Sequence, residues 1–231
     1  MKIITHNKAI KRNQRIGSIT TIASLAILAG GMILSMNASV DKLPYSLLAL
    51  LVGFILSQIG IYYTNRFGRK PRLDEQISDA LKGLDDRYTL YHYMTSVSHL
   101  LVGPAGAWVI LPYTQNGTIT YDKRRWKQRG GSTFMKFFAQ ESLGKPEMEA
   151  AASIQQIQKS LAALLPEGSE PKPNALLCFL HPKVSIQAAE APTSAVTAEK
   201  LKDFIRRKAK ETPMPDGQIT QVRSVLPTES T

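Results

Sequence analysis

The sequence contains a single cysteine, Cys178, so no disulfide can close within the chain and no cysteine metal cluster can form. Cys178 stands in the apolar run Leu176 to Leu180. That run has none of the basic, partly exposed surroundings that activate a thiol, so Cys178 reads as a small buried hydrophobe. The histidines, His6, His92, His99 and His181, lack zinc spacing and have no cysteine partners; His99 reads as a hydrogen-bonded structural residue. No glycine-rich phosphate loop opens a helix, because Gly103 and Gly106 flank a turn between apolar segments. No serine has the Gly-x-Ser-x-Gly setting of a hydrolase nucleophile. Internal repeats and low-complexity tracts are also missing.

Acid is scarce at one end. Before residue 73 there are ten Lys and Arg against one acid, Asp41; from residue 73 onward there are nineteen against seventeen. The net charge of +11 is therefore concentrated around the hydrophobic segments, which points to membrane topology before nucleic-acid affinity. Ile16 to Met36 and Leu43 to Tyr63 are each 21 residues without a charge, long enough to cross the hydrocarbon core as helices. Tyr45, Tyr62 and Tyr63 lie near the ends of the second run, where amphipathic rings favour the interface. Met36-Asn37-Ala38-Ser39 is faintly like a signal-peptide cleavage site, but the first run is too long for a signal core and a second span follows at once. The expected layout is a basic cytoplasmic N-terminus over 1–15, a transmembrane helical hairpin over 16–64 and a basic juxtamembrane linker over 65–72. Small residues (Ser24, Ala26, Ala29, Gly30, Gly31) suit close helix approach. Basic outer flanks predict both termini in the cytoplasm of a bacterial-type cell, with the hairpin in its inner, cytoplasmic membrane.

The remainder reads as an α/β domain over 73–210 with one mixed sheet, followed by a tail over 211–231. Leu73 to Leu84 has helical spacing with Gly83 as a stop. Arg87 to Val97 reads as a strand region, and Leu100–Val102 and Ala107–Leu111 as core strands joined at Gly103-Pro104-Ala105-Gly106. Asn116-Gly117 predicts a hairpin turn into a third strand. Ser132 to Gln140 predicts a loop or helical turn over a sheet edge, and Lys145 to Leu165 an amphipathic helix with Pro146 in its first turn. A loop over Pro166–Asn174, a strand over Ala175–Leu180 with both faces covered, and a helix from a Thr197 cap to about Lys210 complete the domain. The tail is expected to be loose, with Gln218–Leu226 able to add an edge strand.

Val97-Ser98-His99-Leu100-Leu101-Val102-Gly103-Pro104, then Gly106-Ala107-Trp108-Val109-Ile110, then Gly117-Thr118-Ile119, with Trp126 beyond, resembles the nuclease-related domain (NERD) of the restriction-endonuclease-like superfamily. The resemblance covers about residues 73 to 210, with Ala175 to Lys183 similar to the family's late strand and Pro turn. It implies a restriction-endonuclease-like mixed-sheet fold and a Mg²⁺ site made by an acidic pair with a nearby lysine. Carboxylates suit a hard cation, and a lysine offsets developing negative charge. Here the Asp position is Ser98, the Glu position is Leu111 and the Lys position is Tyr113, while Glu75 matches the acid of the opening helix. The implied outcome is a nuclease fold without nuclease chemistry: no catalytic residues, no metal and no cofactor. Mg²⁺ would enter only with a migrated site using Asp122, Asp85 or Asp86.

Lys123, Arg124, Arg125, Lys127 and Arg129, interleaved with Tyr121 and Trp126, form the candidate binding patch. Cations with an aromatic among them can pair with phosphates and stack on a base; the same charge suits anionic lipid headgroups or a plain solvated loop. The expectation is a membrane-anchored, inactive binding or scaffolding module, with the lipid bilayer, DNA or RNA, and a membrane protein as candidate partners. A metal-dependent nuclease with a rearranged site and a structural subunit of a membrane complex are the alternatives.

Overall fold

The chain visits its sheet before it ever reaches its apolar helices. In the computed structural model, which describes residues 1–36, 40–130, 143–166, 168 and 170–230, Lys2–Thr5 form strand β1, and only then does helix α1 begin, at Asn7. Two compact units result, one made of Met1–His6 with Leu73–Thr231 and the other of Asn7–Arg72. Residues 1–15, read from sequence as one basic flank, are thus split between an edge strand and the first turns of a helix. The physical reason lies in Ile3 and Ile4, a short β-branched pair; Ile4 is buried in the core of the first unit.

The second unit is an antiparallel pair of helices, α1 (Asn7–Met36) and α2 (Leu43–Tyr63), with a 3₁₀ turn at Val40–Lys42 and a π-helical turn at Thr64–Gly68. Both are long and apolar enough to cross a membrane. Their contact is made of small residues at a seven-residue period, Gly17, Ser24 and Gly31 on α1 facing Ser46, Gly53 and Gly60 on α2. A methyl group added at Gly60 would lie 2.5 Å from Thr21 Oγ1, and one at Gly53 would lie 2.7 Å from Leu28 Cγ. The Ser46 hydroxyl donates to the Gly31 carbonyl at 2.9 Å. Of the small residues picked from sequence, Ser24 and Gly31 sit in this seam, whereas a methyl at Gly30 meets nothing within 4 Å and Ala26 and Ala29 are exposed. Large apolar side chains (Ile22, Leu47, Phe54) point outward.

The first unit is built on a six-stranded mixed sheet ordered β1-β2-β3-β4-β7-β9 and a three-stranded sheet ordered β6-β5-β8. Its strands are β2 (Thr89–His92), β3 (His99–Gly103), β4 (Gly106–Tyr113), β5 (Gly117–Asp122), β6 (Arg125–Arg129), β7 (Asn174–Phe179), β8 (Val184–Gln187) and β9 (Ser194–Thr197), and its helices are α3 (Leu73–Ala80), α4 (Pro146–Ala162), α5 (Ala198–Glu211) and α6 (Asp216–Ser224). Strands β2, β3 and β4 form an antiparallel meander, β7 joins β4 in parallel, and β1 lies parallel to β2. Leu100, Val102, Val109 and Leu177 face α4 and α6 through Ile157, Leu161, Ile219 and Val222. Leu90, Leu101, Ile110 and Cys178 face α3 and α5 through Ile77, Leu201 and Ile205. Both faces of the large sheet are covered, which is why its central strands lack alternation.

Several expectations change. Tyr93 takes φ 58°, so the chain turns out of the sheet there and the strand expected to reach Val97 ends at His92. Asn116-Gly117 does not close a hairpin with β4, because β7 occupies that edge; Gly117, at φ 82°, instead steers the chain into the smaller sheet. The segment after Glu211 is no loose tail or edge strand: Pro215 starts α6, and Ile219, Val222 and Leu226 are buried at helical spacing. Thr197 precedes α5 without a side-chain capping bond. Gly103, the glycine of the Val-Gly-Pro segment, lies under the Tyr88 ring, which would collide with any β-carbon there. The Ser132–Gln140 expectation lies outside the described residues.

Candidate functional site

Ser98, Leu111 and Tyr113, the positions singled out by the resemblance, lie on or beside β3 and β4 of the large sheet. Leu100 pairs with Val109, and Ser98 immediately precedes β3. Ser98 is exposed, whereas Leu111 and Tyr113 are buried in the core. Tyr113 stacks on Phe179 with centroids 5.2 Å apart, and its hydroxyl donates to Glu149 Oε2 at 2.6 Å. The neighbouring Glu147 accepts the Trp126 indole N–H at 2.8 Å and the Thr193 hydroxyl at 2.6 Å. The first turn of α4 thus uses its two carboxylates to fasten β4, β6 and the β8–β9 connection. Sequence reading missed Glu147 and Glu149 as partners; two acids beside Pro146 at a helix start were the available signal.

Glu75 is half-buried on α3. Asp85 is held by Arg87, whose guanidinium donates to Oδ2 at 2.9 Å and keeps the carboxyl below its usual range. Asp86 pairs with the Met1 ammonium at 2.9 Å, and Asp122 lies on the smaller sheet. Among the described residues no group of three or more His, Cys, Asp or Glu side chains is placed to hold a metal ion. A buried polar chain does link α3 to the sheet: Ser78 Oγ lies 2.9 Å from His92 Nε2, and His92 Nδ1 lies 2.8 Å from His99 Nδ1. Of two facing Nδ1 atoms at that distance one donates and the other accepts, so His99 is hydrogen-bonded within the fold.

The basic patch is a two-stranded ribbon. Asp122 pairs with Arg125 across β5 and β6, leaving Lys123 and Arg124 as a two-residue turn with φ values of 49° and 61°. Such a turn wants positive φ at both positions, normally from Asn or Gly; here two exposed cations occupy it. Because strand side chains alternate, Arg125, Lys127 and Arg129 share one face, with neighbours roughly 7 Å apart. Lys127 donates to Asp122 Oδ2 at 2.7 Å, and that contact holds the Asp122 carboxyl below its usual range. Trp126 is on the other face, bonded to Glu147 and packed edge-on against Tyr121 at 5.3 Å. The five cations are together as expected; the aromatic read among them is turned inward. The period-two alternation of Arg-Trp-Lys-Gln-Arg was the signal for that.

No protein-family model matches the chain, and no curated protein or solved structure matches it.

Proposed function

We propose that this chain is a membrane-anchored, non-hydrolytic binding module on a nuclease-related scaffold, and that it holds a phosphate-bearing polyanion on the outer face of the β5–β6 ribbon. The observation that carries the reading is the row Arg125, Lys127 and Arg129 on one strand face, continued by the exposed turn Lys123-Arg124. The scaffold reading draws support from the order of elements, a Glu-bearing helix, an antiparallel meander, a long helix and a strand parallel to β4. The absence of hydrolysis is argued from Leu111 and Tyr113, which bring no metal ligand and no ammonium to their positions. Anchoring is argued from the two apolar helices, and the basic residues flanking them put both ends of the hairpin on the cytoplasmic side of an inner membrane.

The test uses the full chain in zwitterionic nanodiscs with a short DNA duplex as the polyanion. Binding is expected to weaken steeply as salt rises and to drop at least about tenfold in Arg125→Glu/Arg129→Glu, with the duplex left intact in Mg²⁺. Binding indifferent to salt and to that double reversal, or Mg²⁺-dependent cleavage lost in Glu75→Ala, would overturn the reading.

A further inference from the structure

We infer that the polyanion is the anionic headgroup layer of the bilayer that the chain's own helices enter; the inference rests on the proposed binding face and names its ligand. Position is the first argument. Thr5 pairs with His92, and the His6 amide donates to the His92 carbonyl at 3.0 Å, so the chain departs for α1 at the His92 end of the large sheet. Strands β4 and β7 both run toward that end, because each is parallel to β1 through the intervening pairs. At their ends the Leu180 amide donates to the Tyr113 carbonyl at 2.8 Å, and the Gly117 amide to the Lys183 carbonyl at 3.3 Å. The smaller sheet, with its basic ribbon, therefore springs from the end of the α/β unit that holds His6, the residue that precedes α1.

Charge is the second argument. The two outer helix flanks, residues 7–15 and 64–72, carry eight cations and no acid, the sign that anionic headgroups attract within a Debye length of roughly 10 Å. The ribbon adds five more cations, two of them on a turn whose positive φ values are more costly for Lys and Arg than for Gly or Asn. Exposed cations held in a strained turn serve a contact better than they serve folding. Long stems with charged ends also suit a headgroup region.

Ring placement separates lipid from single-stranded nucleic acid. Single-stranded nucleic acid is gripped by aromatic rings as well as charge, but the rings of this ribbon, Tyr121 and Trp126, pack on each other on the inner face. The outer face offers cations, and the side chains paired beside them are Thr118, Thr120 and Asp122. Charge without a stacking platform matches headgroup phosphates.

The test is limited trypsin cleavage of the full chain in nanodiscs of phosphatidylcholine alone and of phosphatidylcholine with phosphatidylglycerol. Cleavage after Lys123 and Arg124 is measured against cleavage after Lys82 and Arg87, exposed residues just ahead of the opposite end of β2. The ratio of turn to reference cleavage is expected to fall about tenfold in the anionic discs at low salt. It should recover at high salt, and it should not fall in Arg125→Gln/Lys127→Gln/Arg129→Gln, which keeps the cleavage sites. A ratio unchanged by anionic lipid, with DNA still bound in zwitterionic discs, overturns the lipid inference and leaves the polyanion reading standing. An unchanged ratio with no DNA binding overturns both, and a ratio that falls equally in the triple variant removes the strand row from the contact.

Discussion

The helical pair and the α/β unit are packed inside out with respect to each other. In the pair, glycine and serine fill the contact and Ile22, Leu47 and Phe54 face outward; in the α/β unit Leu100, Leu101, Ile110 and Phe179 are fully enclosed. The two patterns are those that suit two different solvents. In water, large apolar side chains gain by being covered, at roughly 25 cal/mol per Å². In hydrocarbon that gain vanishes, and helices associate through close backbone approach, which only small residues permit. One chain therefore uses two opposite rules, and the boundary between them falls at His6–Asn7 and Arg72–Leu73.

The largest effects should come from applying one unit's rule to the other. Leu101→Ala removes a fully buried side chain and should cost about 2–5 kcal/mol. It is read by denaturant unfolding followed through Trp108 and Trp126, which both report on the α/β unit. Leu47→Ala, at an exposed position, should leave that transition and the helix contact unmoved. Gly60→Leu should force α1 and α2 apart, since even a methyl collides with Thr21, whereas Gly30→Leu should not. A Gly31→Cys/Ala49→Cys pair reports the contact, because a β-carbon at Gly31 lies 3.1 Å from Ala49 Cβ, near the spacing a disulfide requires. Cross-linking should be efficient with Gly30→Leu and lost with Gly60→Leu. Equal cross-linking in both would mean that the small-residue seam does not hold the pair together.

The second effect concerns a boundary that the sequence conceals. A fragment beginning at Leu73 lacks β1 and with it Ile4, which is 2% exposed. Burial of one such side chain is worth roughly 2 kcal/mol, and its loss also leaves β2 as an open sheet edge that invites aggregation. The fragment should unfold at lower denaturant and aggregate more than the full chain in detergent; equal midpoints would mean that β1 adds nothing to the sheet.

What was legible follows the same division. The two apolar runs, the core strands and the helices at 146–162 and 198–211 were all readable, because each shows its own period over enough residues. β1 was not, since four residues beside a run of cations carry too little pattern to outweigh the charge. β8 and β9 were missed for the same shortness, and α6 because three prolines around it read as loop. At the site, the identities of Ser98, Leu111 and Tyr113, none of them a carboxylate or an ammonium, could be read letter by letter. The hydrogen bonds made there, from Tyr113 to Glu149 and from Trp126 to Glu147, join residues 36 and 21 apart in sequence, and no local pattern encodes such pairs.

The smallest expected effect is also the one that isolates the α/β unit most cleanly. Cys178 is the chain's one thiol, fully buried on the α5 side of the sheet, and burial pushes its pKa up to about 12. At pH 8 the native thiol should therefore resist a maleimide or disulfide reagent, and labelling should proceed only as fast as the unit opens. The Gly60→Leu variant, if it disturbs only the helix pair, should label no faster than the parent, whereas Leu101→Ala should label faster. The pH dependence has a definite sign. A thiol whose folded pKa lies above its unfolded one favours folding below pH 9, and that contribution is lost as pH climbs from about 9 to about 12. Stability measured through the two tryptophans should fall across that window, and Cys178→Ala should flatten the fall at a cost of about 1 kcal/mol at neutral pH. Rapid labelling of the native protein at pH 8 would instead place solvent at the centre of the sheet, and the contrast between a dry α/β core and a helix pair with its large side chains outward would not survive it.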